Sequence, residues 1–166
     1  MSNMDELIRE IRAALAAGLY YLALYGALAL PDICGALGSD DGKASAAKYK
    51  DWLRANVPSE AVDGELIYGL RCSLLHQGRA YPHGGVFPIA FTYSPGGGIH
   101  NLSTEVNGER VGWVDTAIFI GEMTEGAESW LRTFENTKTV KGNLDKFARL
   151  RLEGLPPHVV GMPVIA

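Results

Sequence analysis

Residues 13–30 read AALAAGLYYLALYGALAL, 18 consecutive positions without a charge. The reading of this run decides the fold. Its length is the lower limit for a membrane-spanning helix, but it is built mainly of Ala, Gly and Tyr rather than Leu, Ile and Phe. The residues before it (Asp5, Glu6, Arg9, Glu10 and Arg12) mix both signs, unlike the positive start of a signal peptide. No clean stop-transfer cluster follows. A helix apolar all round belongs at the centre of an assembly. We therefore expect a buried core or dimer-interface helix and no membrane segment.

The rest of the N-terminal half is helical by pattern. Asn3 and Glu6 have the spacing of a capping box, so one helix is expected from about Met4 to Leu30. Pro31 and Asp32 permit a kink or a second piece, Asp32 to Leu37. Ala44 to Ala55 reads as the next helix, with Tyr49, Trp52 and Leu53 inward and Asn56 and Pro58 stopping it. Asp63 is the N-cap of a third helix, Gly64 to Gln77. Its Leu66, Ile67, Leu70, Leu74 and Leu75 recur at helical spacing, and Gly78 ends it.

From Ala80 to Val114 proline and glycine rise, and β-branched and aromatic residues gather in short runs. Val86 to Tyr93 reads as a strand interrupted at Pro88, and Ser94-Pro95-Gly96-Gly97-Gly98 as a flexible turn. Ile99 to Val106 and Arg110 to Val114 flank Asn107-Gly108, a strong hairpin signal. Asp115 then caps a helix from about Thr116 to Phe134, with an apolar stripe through Phe119, Ile120, Met123, Ala127, Trp130, Leu131 and Phe134. A short helix near Asn143 to Leu152 and an extended tail complete the chain. The expected fold class is mainly α, a helical bundle with an inserted small β-hairpin at about residues 86–114. It forms one domain over 1–166, with a helical core at 4–78 and 115–152 and the β insertion at 80–114.

The 166 residues suit one domain, and 47% hydrophobic content can fill a core. The net charge of −4 excludes a dedicated basic nucleic-acid coat, so any RNA role must rest on a local patch. One such segment exists. Arg132 to Arg151 carries six basic and two acidic residues, which is either a solvated helix face or a phosphate-attracting patch. Cys34 and Cys72 are the only cysteines and form no CxxC, which suits reduced thiols and a cytoplasmic location.

The chemistry-bearing stretch is LRCSLLHQG, residues Leu70 to Gly78. Arg71 stays charged and can hold phosphate oxygens through two N–H groups. His76 can take or give a proton near neutral pH. Together they suit cleavage of RNA without a metal, with the arginine stabilising charge on the phosphorus. Residues five apart on a regular helix point about 140° apart. The pair thus meets only through distortion in the last turn or across a two-fold dimer groove. The plain alternative is structural: Arg71 pairs with Asp32 and pins the helices, and His76 caps a helix end. Cys72, Ser73, Tyr81 and His83 are the neighbouring candidates for substrate contact. Cys72, His76 and His83 have too few companions for zinc unless His100 or Cys34 joins them, so neither metal nor cofactor is expected. Ser73 with His76 lacks an orienting carboxylate for nucleophilic catalysis.

An Arg-x4-His motif late in a helix of a small bundle resembles the HEPN superfamily (higher eukaryotes and prokaryotes nucleotide-binding). The resemblance implies a compact helical homodimer and a metal-independent endoribonuclease, with Arg71 and His76 as the catalytic pair at the dimer groove. It also implies a toxin or phage-defence role, with RNA and a cognate antitoxin or other protein as partners. Catalytic members often carry Asn, Asp or His after the arginine, where this chain has Cys72. Some HEPN domains are non-catalytic binding modules, and that alternative stays open here.

Overall fold

The computed structural model describes residues 3–57, 63–84, 87–94 and 97–166. The helix stop at Pro58, the strand start at Val86 and the Pro95-Gly96 part of the glycine-rich turn lie outside them.

The uncharged run is divided between two helices rather than one. α1 spans Asn3–Ala16 and α2 spans Tyr20–Leu37. Gly18 takes φ +74°, and the N–H groups of Gly18 and Leu19 donate to the carbonyls of Leu15 and Ala14. This left-handed glycine cap closes α1 and turns the chain back on itself. The expected helix from Met4 to Leu30 is corrected accordingly. Pro31 does not end α2, which runs on to Leu37 with Pro31 buried inside it.

α2 is the centre of the bundle. α1, α3 (Ala46–Asn56), α4 (Gly64–Gln77), α5 (Thr116–Phe134) and α6 (Lys138–Leu144) all pack on it. Met4, Ile8 and Ile11 of α1 are buried against it at helical spacing. α3 begins at Ser45, whose hydroxyl accepts the Lys48 N–H at 3.3 Å, and buries Tyr49, Trp52 and Leu53 as expected. The Tyr49 hydroxyl donates to the Leu28 carbonyl at 3.0 Å inside the core. By length and composition α2 could cross a membrane, but 44% of it is buried among its neighbours.

The β segment is a three-stranded sheet, not a hairpin alone. β1 (Ile89–Thr92) pairs parallel with β3 (Glu109–Asp115), and β2 (Leu102–Val106) pairs antiparallel with β3 on its other edge. The β2–β3 turn is at Asn107-Gly108, with φ +53° and +80°. The sheet is tied into the helical core: Ile89 is buried, and the Phe91 ring meets Phe119 of α5 edge-on at 5.7 Å. β3 runs directly into α5 through Asp115, whose carboxylate accepts the Ile118 N–H at 2.9 Å.

The C-terminal helix lies earlier than the expected Asn143–Leu152. Thr137 caps α6 by accepting the Val140 N–H. The Asn143 amide then donates to the carbonyls of Leu37 and Ser39, both at 2.9 Å, closing the end of α2. The tail forms two short antiparallel pairs, 150–151 with 164–165 and 154–155 with 159–160.

Candidate functional site

α4 presents the Arg71–His76 stretch as its caps dictate. The Asp63 carboxylate accepts the Glu65 N–H at 2.9 Å at one end. At the other, Gly78 takes φ +65° and its N–H donates to the Leu74 carbonyl. Ile67, Leu70, Ser73 and Leu74 face inward, against α3 and α2. Arg71 is left half-buried at the α2 side, and His76 is exposed in the last turn.

Arg71 and His76 do meet. Nη1 of Arg71 lies 3.2 Å from Nε2 of His76. A guanidinium can only donate, so Nε2 accepts and the ring proton resides on Nδ1. The long arginine stem spans the angle that separates the two backbone positions. The other guanidinium nitrogen, Nη2, lies 2.7 Å from Oδ2 of Asp32 on α2, with side-chain exposures of 22% and 13%. The approach is a charge contact without hydrogen-bond alignment: Nε of Arg71 and Oδ2 of Asp32 are both buried and lack a hydrogen bond. The Cys72 sulfur lies 3.9 Å from Nη1. The site is thus a chain of contacts, Asp32 to Arg71 to His76, running from the core to solvent.

Its electrostatics follow from partial burial. Desolvation pushes the Asp32 carboxyl above its ordinary value, and the positive charge of Arg71 only partly offsets this. Burial pulls Arg71 down, but Asp32 and Cys72 more than compensate and its pKa is raised. Tyr49 is held well above its usual value by burial and then by the negative charge of Asp32. Tyr68, whose ring meets Tyr49 at 5.3 Å, is raised chiefly by burial and then by the neighbouring Cys72 thiol.

The remaining sequence candidates are not gathered here. Ser73 is 3% exposed and faces the core, so it is no substrate contact. Tyr81 is half exposed. His83 folds back along α4: its N–H donates to the Gly69 carbonyl at 3.1 Å. A Cβ on Gly69 would lie 2.7 Å from the His83 carbonyl oxygen, so this approach requires glycine. Gly69 and Arg71 point about 200° apart on the helix, which puts His83 on the other flank of α4. There it lines a cavity of about 390 Å³ with Asp63 and Glu65. Among the described residues no three His, Cys, Asp or Glu side chains converge as metal ligands. The basic segment is carried by the end of α5, by α6 and by the tail; α5 and α6 pack on α2, and α4 on α2 and α3. None of its six basic residues lies on α4, and its α6 part meets the end of α2 through Asn143 and Leu37.

One polar cluster escaped the sequence reading. The Asp115 N–H donates to Nδ1 of His100 at 3.2 Å, and Nε2 of His100 lies 3.8 Å from the Glu122 carboxylate. The spacing of these residues carries no local motif. Nδ1 of His100 is thus bonded to the chain, whereas its Nε2 and the Glu122 oxygen facing it are buried without a hydrogen-bond partner. No family model, curated protein or solved structure matches this chain.

Proposed function

We propose that the Arg71–His76 pair is a phosphate-directed acid–base site for metal-independent cleavage of RNA, in the manner of the HEPN endoribonucleases it resembles. The observation that supports this reading is the 3.2 Å contact that joins the two side chains within one chain, at the exposed end of α4. In the resting site, Nε2 of His76 is covered by the guanidinium. A phosphate is a stronger acceptor than a neutral imidazole, so an arriving phosphodiester takes over the Nη1 donor and frees Nε2. His76 then removes the proton of the 2′-hydroxyl. The O2′–P bond forms, the P–O5′ bond breaks, water protonates the leaving oxygen, and a 2′,3′-cyclic phosphate remains. Arg71 stabilises the charge on the non-bridging oxygens, and Asp32 positions Arg71 from behind. Neither side chain has to come from a second chain.

A second reading is a non-catalytic binding module in which Arg71 is structural. The Asp32 ion pair and the absence of the basic segment's residues from α4 favour it. Incubation of a mixed RNA pool in EDTA with wild type, His76→Ala and Arg71→Lys, each checked for folding, separates the two. The nuclease reading expects cleavage by wild type and its loss in the folded His76→Ala variant. Equal products from wild type and His76→Ala, or none from either, favour the module.

A further inference from the structure

The sheet carries a hollow on the face it turns to α4. Ile89 of β1, Gly112 of β3 and Ser103 of β2 stand in register as one row across the three strands. Gly112, in the middle of that row, has no side chain, which is how a strand lets another group approach its backbone. The Phe87 ring lies over it: a Cβ on Gly112 would come within 3.1 Å of that ring. Leu66 and Ile67 of α4 close the opposite side of a cavity of about 350 Å³, which Val114 also lines. Ile67 and Ile89 are both 2% exposed, so the deep wall is apolar.

The rim of this cavity carries an arginine. Arg110 shares its face of β3 with Gly112 and Val114, because side chains alternate along a strand. Its guanidinium lies 4.6 Å from the centre of the Phe87 ring, and Nη2 donates to the Ser103 hydroxyl at 3.3 Å. Both of those residues line the cavity. Among the described residues no carboxylate lies within ion-pair distance of Arg110, although Glu105 is its register partner on β2. The cation is thus held at the rim by an aromatic face and a hydroxyl, with further N–H groups left to donate. We propose that this cavity binds a small aromatic monocarboxylate, with its ring inside and its carboxylate on Arg110. The volume lies at the lower end of small-molecule sites. A rigid ring buries its apolar surface against Phe87, Ile67 and Ile89 at little entropic cost, and one guanidinium fork matches one carboxylate. The adjoining cavity at Asp63, Glu65 and His83 shares Leu66 and Phe87 with this one. Its carboxylates are engaged by the chain, Asp63 by the Glu65 N–H and Glu65 by Lys50 at 2.6 Å, so they do not reverse the preference for an anion. This inference is independent of the nuclease reading.

An NMR titration of the full chain with naphthoate, read from its backbone amides, tests it. Naphthylmethylammonium serves as the charge-reversed probe, and Arg110→Gln and Ser103→Trp as variants. Both positions are exposed, so circular dichroism should match wild type. Arg110→Gln removes the charge, and Ser103→Trp fills the mouth. The expected result for wild type is a Kd for naphthoate below about 1 mM, with shifts centred on Ile67, Ile89, Ser103 and Gly112. Each variant should bind at least about tenfold more weakly. No saturable shift up to about 5 mM naphthoate overturns the proposal, as do shifts centred elsewhere. So does naphthylmethylammonium binding as tightly as naphthoate, or an Arg110→Gln variant that binds like wild type. His76→Ala should bind naphthoate like wild type, which keeps this test apart from that of the nuclease.

Discussion

At the scale of the residue, the behaviour of Arg71 is set by what burial does to its partner. Asp32 is desolvated more than it is compensated, so its carboxyl holds a proton more tightly in the folded chain than in the unfolded one. A group whose folded pKa is raised contributes stability fully below its unfolded value, about 3.9 for Asp, and loses it as pH rises through the folded value. Urea denaturation of wild type and Asp32→Asn should therefore show wild type losing ground to the variant as pH rises from about 3.5 to 7. A gap that widens in the opposite sense would reverse the assignment. Arg71→Ala leaves the Asp32 carboxylate half-buried without its cation and should cost about 2 kcal/mol at neutral pH, less than for a fully buried pair. His76→Ala, by contrast, removes an exposed ring and should change stability by no more than about 0.5 kcal/mol. The Asp32–Arg71 partnership is legible from the sequence, because a buried-helix aspartate needs a cation. The Arg71–His76 contact is not. Helical angles describe where a side chain leaves the backbone, whereas a guanidinium on a three-carbon stem reaches across much of a helix surface.

At the scale of the element, local signals decided the outcome wherever caps and periodicity agreed. α4 runs between Asp63 and Gly78, and α5 starts at Asp115, as their residues dictate. Phe134 departs from the α5 stripe. It is 42% exposed and leans on Trp130, because α5 outlasts the core it packs against. The break at Gly18 was not legible, since one glycine among alanines is tolerated inside many helices. Nor was the parallel pairing of β1 with β3, which joins residues over twenty positions apart and leaves no mark in the alternation of either strand. α6 shows how a short helix is positioned from outside: Asn143 satisfies the terminal carbonyls of α2 while its own helix is capped by Thr137. Asn143→Ala should therefore lower stability by about 1–2 kcal/mol through unsatisfied carbonyls at the end of α2. A denaturation midpoint equal to wild type would show that water replaces the amide there.

At the scale of the whole molecule, charge placement bounds the kind of RNA contact available. The chain is acidic, and its basic segment sits on α5, α6 and the tail rather than on α4. Only Arg71, with His76 beside it, meets a phosphate in the proposed site. RNA binding should then release few counterions, and affinity should fall by less than about tenfold between 50 and 200 mM salt. A much steeper fall would mean that the basic segment also touches the RNA. The most direct test of the account is the chemistry of the cut. A single-stranded RNA and the same strand carrying 2′-deoxyribose throughout are incubated in EDTA with wild type and with folded His76→Ala. The account predicts 2′,3′-cyclic phosphate ends from the RNA with wild type, none from the deoxy strand, and a rate at least about 100-fold lower for His76→Ala. Cleavage of the deoxy strand, or equal rates for wild type and His76→Ala, would contradict it.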